Sequence, residues 1–218
     1  MRIPCIDTDY VMRALRDDGV ILTGHFVLAG GEHSEGYVEK TRMLLSSEKT
    51  QLYCRDIACH WANENIEAVV GPATAGIKLS TVVALELYQL TGRDVISLYT
   101  EKDNNGNQIL KRGKEDIRKK RTLVVEDIGT TGGSVAATIG QCLMANADVV
   151  GCHILVDRSN GRITAETLGV NKYLCTVKVD IENYLESKCP LCEHKVPINI
   201  DFGHGGEYLK GCPEKKNW

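Results

Sequence analysis

The sequence predicts an α/β protein, with about five mainly parallel strands flanked by helices and a small strand-and-turn region ahead of them. Five short segments carry the prediction: IEAVVG from position 66, DVISLYT from 94, TLVVED from 122, DVVGCHILVD from 148 and KYLCTVKV from 172. They lack apolar–polar alternation, and near-continuous apolar strands are those buried on both faces, as in parallel sheets covered by helices. Helical stretches separate most of them, and strand–helix succession brings parallel neighbours together. The chain has 218 residues, 43% apolar and 25% charged, which excludes wholesale disorder and suffices for one core plus an appendage.

In chain order, Thr8 to Arg16 reads as a helix that Asp7 or Thr8 can cap. Val11 and Leu15 share one of its faces, and Gly19 stops it. Val20 to Lys40 is broken by Gly24, Gly30, Gly31 and Gly36, the texture of small strands and turns. A second helix starts at Ser46 or Ser47 and runs to about residue 63, with Leu52, Ile57 and Trp61 facing a core. An apolar helix from about Ile77 to Leu90 follows the first buried strand and closes at Gly92. Residues 101–120 are polar, with Asn104, Asn105, Gly106 and Asn107 adjacent, and read as a loop outside the core. A further helix spans about Val135 to Ala145. The expected divisions are 1–45 for the first helix and the strand-and-turn region, 46–180 for the core, and 181–218 for a Cys-containing tail packed on either.

Twenty-six basic residues against 29 acidic leave a formal charge of −3, which argues against a nucleic-acid-coating or polybasic membrane protein. No stretch approaches the ~18 apolar residues a membrane helix needs, and the charged N-terminus lacks the apolar block of a signal peptide. A soluble cytoplasmic protein without nucleic-acid or membrane partners is expected. Nine cysteines fall at 5, 54, 59, 142, 152, 175, 189, 192 and 212. The first six lie mostly in apolar segments, where reduced Cys acts as a small hydrophobe.

The strongest chemical signal is the run from Leu123 to Ser134, LVVEDIGTTGGS. A buried strand delivers Glu126 and Asp127 at its C-terminal end, where ligands bind in open α/β sheets. Gly132 and Gly133 let backbone approach a ligand, and the N–H groups of the helix start form an anion site. Thr130, Thr131 and Ser134 add hydroxyl donors. Acceptors for sugar hydroxyls thus sit beside donors for a phosphate, which suits a phosphorylated ribose. No Lys follows the glycines, so this is not a Walker loop, nor is it Gly-x-Gly-x-x-Gly.

The string closely resembles the phosphoribosyl pyrophosphate motif of type I phosphoribosyltransferases. The resemblance implies that Glu126 and Asp127 hold the ribose and Thr130 to Ser134 the 5′-phosphate. GHFVLAGGEHSEGYVEK resembles the N-terminal hood of orotate phosphoribosyltransferases, which ends on a Tyr, here Tyr37. VVGPATAGI resembles their pyrophosphate loop, implying substrate contacts from Pro72, Ala73, Thr74, Ala75 and Gly76. LVDRSNG resembles the segment whose Arg meets the orotate carboxylate, which implies that role for Arg158. KCPLCEHKVPI resembles a C-terminal segment common in one branch of these enzymes, so the resemblance covers five segments in order. Departures are Ala29, where many such enzymes carry Lys, Gly30 in place of Ser, and a loop without the Arg-Lys-x-x-Lys-x-His pattern.

What the resemblance implies is transfer of a phosphoribosyl group to orotate, giving orotidine 5′-monophosphate and pyrophosphate. It further implies Mg²⁺ held mainly by the substrate, catalytic cations drawn from Lys102, Lys111 and Arg112 beside Asp127, and a homodimer whose mobile loop crosses to the neighbouring subunit. The alternatives are a type I enzyme for another nucleobase and a non-catalytic sensor of phosphoribosyl pyrophosphate.

Cys189 and Cys192 have Cys-x-x-Cys spacing, with His204 and Cys212 downstream. Three readings stand: a structural tail with free thiols, a structural Zn²⁺ held by Cys189, Cys192, His204 and Cys212, or a redox pair. His25, His33, His60 and His153 read as packing or surface residues.

Overall fold

The computed structural model describes residues 7–212, so Cys5 lies outside the described residues. The elements in order are α1 (Thr8–Asp17), β1 (Ile21–Val27), β2 (His33–Val38), α2 (Lys40–Met43), α3 (Ser47–Trp61), β3 (Ala68–Pro72), α4 (Ala75–Thr91), β4 (Ile96–Lys102), β5 (Gln108–Ile109), β6 (Arg121–Gly129), α5 (Gly133–Met144), β7 (Asp148–Asp157), α6 (Ala165–Leu168), β8 (Tyr173–Lys178), β9 (Asn183–Tyr184), α7 (Pro190–Glu193) and α8 (Gly205–Gly211). Caps fall where the sequence predicts them. The Asp7 carboxylate accepts from Asp9 N at 3.1 Å, Ser46 Oγ accepts from Lys49 N at 3.3 Å, and Gly92 closes α4 in the left-handed conformation.

The chain divides into two compact units, a larger one of residues 1–12 and 44–179 and a smaller one of 13–43 and 180–218. The larger unit holds a six-stranded sheet in the order β5-β4-β3-β6-β7-β8. Every pairing among β4, β3, β6, β7 and β8 is parallel, as predicted, and β5 runs antiparallel to β4. Val70, Val124, Cys152 and Ile154 form one apolar cluster with Val135, Ile139 and Cys142 of α5. Side chains alternate along a strand, so His153 points to the opposite face, where Trp61 of α3 donates to its Nδ1 at 2.9 Å. Helices therefore cover both faces of β3, β6 and β7, which are buried along most of their length and carry no polar alternation, whereas β4 and β8 on either side are only partly buried.

Two expectations are corrected. The 101–120 segment is not wholly outside the core: Leu110 and Ile117 are buried in the α5-side cluster, and β5 makes a short hairpin with β4. Two apolar residues among so many polar ones leave no periodic signal. In α3, Ile57 and Trp61 are buried, but the third apolar contribution comes from Tyr53 and Cys54, while Leu52 is only half-buried.

The smaller unit is a three-stranded antiparallel sheet, β1-β2-β9, with α7 and α8 from the C-terminal segment. Pairing between β1 and β2 is interrupted by a bulge between Thr23 and Phe26. Phe26 stacks on Tyr37 at 5.5 Å between ring centroids. Val27, Ile198 and Leu209 pack together with Tyr208 against them.

Candidate active site

In the larger unit, β4 lies on one side of β3 and β6 on the other, so the chain reverses its direction of sheet growth at β3. Ligands in open α/β sheets bind outside the strand C-termini at such a switch point. Two turns meet that edge, one after β3 and one after β6.

After β3, backbone closeness dictates glycine. A Cβ on Gly71 would lie 2.6 Å from Gly76 O, and one on Gly76 would lie 2.6 Å from Gly71 C. The turn Pro72–Ala73–Thr74 is thereby folded tightly onto the start of α4, with Ala73 N donating to Thr100 O of β4 at 2.7 Å. Its Ala73–Thr74 peptide is cis.

After β6, Glu126 and Asp127 are buried at the strand end, each 7% exposed. Asp127 Oδ1 accepts from Ile128 N at 2.8 Å, which fixes its carboxylate. Gly132 then takes φ +80° as the residue before α5, a conformation that β-carbons disfavour. Gly132 supplies no side-chain cap, Gly133 N donates to Thr131 Oγ1 at 3.5 Å, and helix-start N–H groups of this kind are suited to an anion. Glu126 and the run from Ile128 to Val135 line one pocket of about 40 Å³. Thr130, Thr131, Gly133 and Ser134 are exposed at its rim.

Arg158 follows β7 immediately, and its N–H donates to Gly129 O at 2.9 Å, so its backbone adjoins the β6 turn. Asp157, 5% exposed, holds this corner: its carboxylate accepts from Ser159 N at 2.8 Å and from Tyr173 Oη at 2.9 Å. Burial, followed by that hydrogen bond, pushes the Tyr173 hydroxyl pKa well up. Arg158 itself is half-buried.

Residues 51–172 match the phosphoribosyl transferase domain family. An orotate phosphoribosyltransferase of Desulforamulus reducens is 38% identical over 179 residues, covering 82% of this chain and 88% of that protein. The chain belongs to the orotate phosphoribosyltransferase family. Among solved structures, the orotate phosphoribosyltransferase of Aeropyrum pernix superposes with a TM-score of 0.63 at 26% identity, covering 78% of this chain and 93% of that one. That of Mycobacterium tuberculosis gives 0.65 at 22%, covering 80% and 97%, and supports the fold.

The cations expected of this family lie on and after the β4–β5 hairpin. Its turn is closed by Asp103, whose carboxylate accepts from Asn105 N and Asn107 N, both at 2.8 Å. Those backbone donors hold its pKa below the usual range, Asn107 first. Lys102 and Arg112 are exposed, and Lys111 pairs with Glu101 at 3.2 Å. Tyr37 belongs to the smaller unit, in β2.

The Cys-x-x-Cys expectation is corrected in its partners. His204 is exposed and bonds Glu207 at 3.0 Å through Nδ1. Cys212 is a half-buried free thiol at the end of α8. The residues that converge on Cys189 and Cys192 are His25 and His33, both read from the sequence as packing or surface residues. No ligand spacing marks two histidines on neighbouring strands, so only the folded hairpin reveals them. Cys54, Cys142 and Cys152 behave as expected of buried hydrophobes, and burial pushes the Cys142 thiol up to about 12. No helix among the described residues is long and apolar enough to cross a membrane.

Proposed function

We propose that this chain transfers the 5-phosphoribosyl group of phosphoribosyl pyrophosphate to orotate, releasing pyrophosphate and orotidine 5′-monophosphate in pyrimidine synthesis. The observation that carries the reading is one pocket bounded by a buried carboxylate and by the glycine-rich start of α5. Carboxylates accept hydrogen bonds from ribose hydroxyls, and helix N–H groups hold the 5′-phosphate. Arg158, beside the same turn, supplies the fork that pairs with the orotate carboxylate.

In the reaction the bond from C1 of the ribose to the pyrophosphate oxygen breaks, its electrons leave with pyrophosphate, and a base nitrogen bonds to C1 and gives up its proton to pyrophosphate or solvent. Positive charge develops on the sugar ring, and Glu126 and Asp127 are negative groups fixed on the sugar side. Within the turn Pro72 to Gly76, the N–H groups of Thr74, Ala75 and Gly76 are the backbone donors for pyrophosphate, and Lys102, Lys111 and Arg112 are the cations available where its charge grows. The 103–116 segment excludes water from the activated sugar.

Mg²⁺ fits these residues, because the acid pair offers hard oxygen donors and no dedicated protein cage is needed for an ion that keeps several waters and binds substrate phosphates. When bound, it neutralises phosphate charge on the leaving group. The working unit we propose is a cytoplasmic homodimer whose loop reaches the partner's site.

The test is formation of nucleotide and pyrophosphate with orotate, uracil, adenine, guanine or xanthine as acceptor. Turnover with orotate and not with purines is expected. Turnover with a purine alone overturns the base assignment. Binding of phosphoribosyl pyrophosphate without consumption by any base makes the chain a sensor.

A further inference from the structure

We propose that His25, His33, Cys189 and Cys192 form a structural Zn²⁺ site that ties the β1–β2 hairpin to the C-terminal segment of the smaller unit. One ligand atom from each lies within 4.8 Å of the other three. His25, His33 and Cys189 are at most 3% exposed, and Cys192 is half-buried. Two imidazoles and two thiols brought together inside a protein are the donor set of tetrahedral zinc.

The geometry agrees. Zn–S bonds of about 2.3 Å and Zn–N bonds of about 2.0–2.1 Å place tetrahedral donors about 3.3–3.8 Å apart. Cys192 Sγ is 3.3 Å from His33 Nδ1 and 3.8 Å from His25 Nε2, and Cys189 Sγ is 3.8 Å from His25 Nε2. His25 Nε2 and His33 Nδ1 are closer, at 2.7 Å, and need move apart by only about half an ångström to span an ion.

Local structure explains the convergence. His33 pairs with Val27, and His25 lies two residues earlier on β1, within the bulge, so the two rings are diagonal neighbours on one face. Cys189 precedes α7 and Cys192 lies within its single turn, which puts both thiols on one side. His25 Nδ1 donates to Val196 O at 2.8 Å, which leaves Nε2 as the lone-pair nitrogen. Fixing a ligating ring through its second nitrogen to a carbonyl is how metal-bound histidines are oriented.

A second observation points the same way. The smaller unit comprises about 70 residues from two distant stretches of chain, and units of that size commonly need a metal or disulfide to supplement the core. The site is separate from phosphoribosyl chemistry and stands or falls without it.

The test is metal content of the full-length protein purified without chelator. About one zinc per chain is expected, falling at least tenfold in His25→Gln and Cys192→Ser and unchanged in His204→Ala and Cys212→Ser. Replacement by Co²⁺ should give tetrahedral visible bands and a thiolate charge-transfer band. Cys192→His keeps four donors for the case where Cys192→Ser fails to fold, and should retain the visible bands with about half the charge-transfer intensity. Zinc-free protein that binds no Co²⁺, a Cys189–Cys192 disulfide, iron in place of zinc, or zinc lost with His204 overturns the assignment.

Discussion

His153 in the larger unit and the His25–His33 pair in the smaller one are equally buried, and their nitrogens face different things. Trp61 donates to His153 Nδ1, its Nε2 meets Thr176 Oγ1 at 3.0 Å, and that hydroxyl donates to Asp56 at 3.0 Å. Each group in that chain is matched by a protein partner of opposite role. Around His25 and His33 the two rings meet each other at 2.7 Å, and two thiols converge on the same nitrogens, all four of them atoms that bind metal through lone pairs. A buried polar group matched by a complementary partner belongs to the architecture, whereas like donors aimed at one point call for a ligand. Variants should sort accordingly: architectural ones change stability and leave kinetics alone, substrate-facing ones do the reverse, and variants of the four metal-facing residues change metal content.

The largest expected effect is on stability at acid pH. Burial, then the nearby His60 and Lys172, lowers the His153 pKa from 6.5 to about 3. The unfolded chain takes up this proton near pH 6.5 while the folded chain resists until about 3. Stability is therefore full above 6.5 and falls as pH drops toward 3, by on the order of 4 kcal/mol. Denaturant unfolding from pH 7 to 4 should show a smaller loss in His153→Gln than in the parent. Equal slopes would remove His153 from the architectural class.

Arg158→Leu should cost about 2–5 kcal/mol of orotate binding, the range for truncating one partner of a buried charge pair. Phosphoribosyl pyrophosphate binding and melting temperature should stay near the parent values. Separate titration of each ligand decides this: equal losses for both would mean a damaged fold.

Ile117→Ala tests the opposite class. A fully buried isoleucine cut to alanine costs about 2–4 kcal/mol through lost burial and a cavity. Melting temperature should fall clearly while KM for both substrates holds at permissive temperature. This residue also shows where the sequence was silent. The five parallel strands, the acid pair and the glycine turn were legible because each shapes its own neighbourhood: apolar runs, a strand end, a helix start. Ile117 and Leu110 anchor a polar segment through contacts with α5, which no local pattern encodes. His25 and His33 escaped for the same reason, since their meaning comes from Cys189 and Cys192 far along the chain.

Asp127→Asn keeps the shape of the side chain and removes its charge. Hydrogen bonds to a charged group contribute about 1.5–3 kcal/mol, so kcat/KM for phosphoribosyl pyrophosphate should fall roughly tenfold to a hundredfold by that range. The melting temperature should move little. Near-parent kinetics, with Glu126 intact, would count against ribose binding by this residue.

The smallest effect belongs to Lys111, which sits between the two classes. Its ammonium meets Glu101 at 3.2 Å with both side chains substantially exposed, 51% and 38%. Such surface pairs contribute about 0–1 kcal/mol and weaken with salt, so Lys111→Gln should leave thermal stability almost unchanged. Its kinetic effect separates two roles. A lysine that stays with Glu101 only pins the hairpin, and Glu101→Gln would then reproduce whatever Lys111→Gln does. A lysine that swings to the pyrophosphate lowers kcat when removed, while Glu101→Gln frees it and leaves kcat at or above the parent value. Measuring kcat for both variants at low and high salt, with Lys102→Gln alongside, assigns the loop cation.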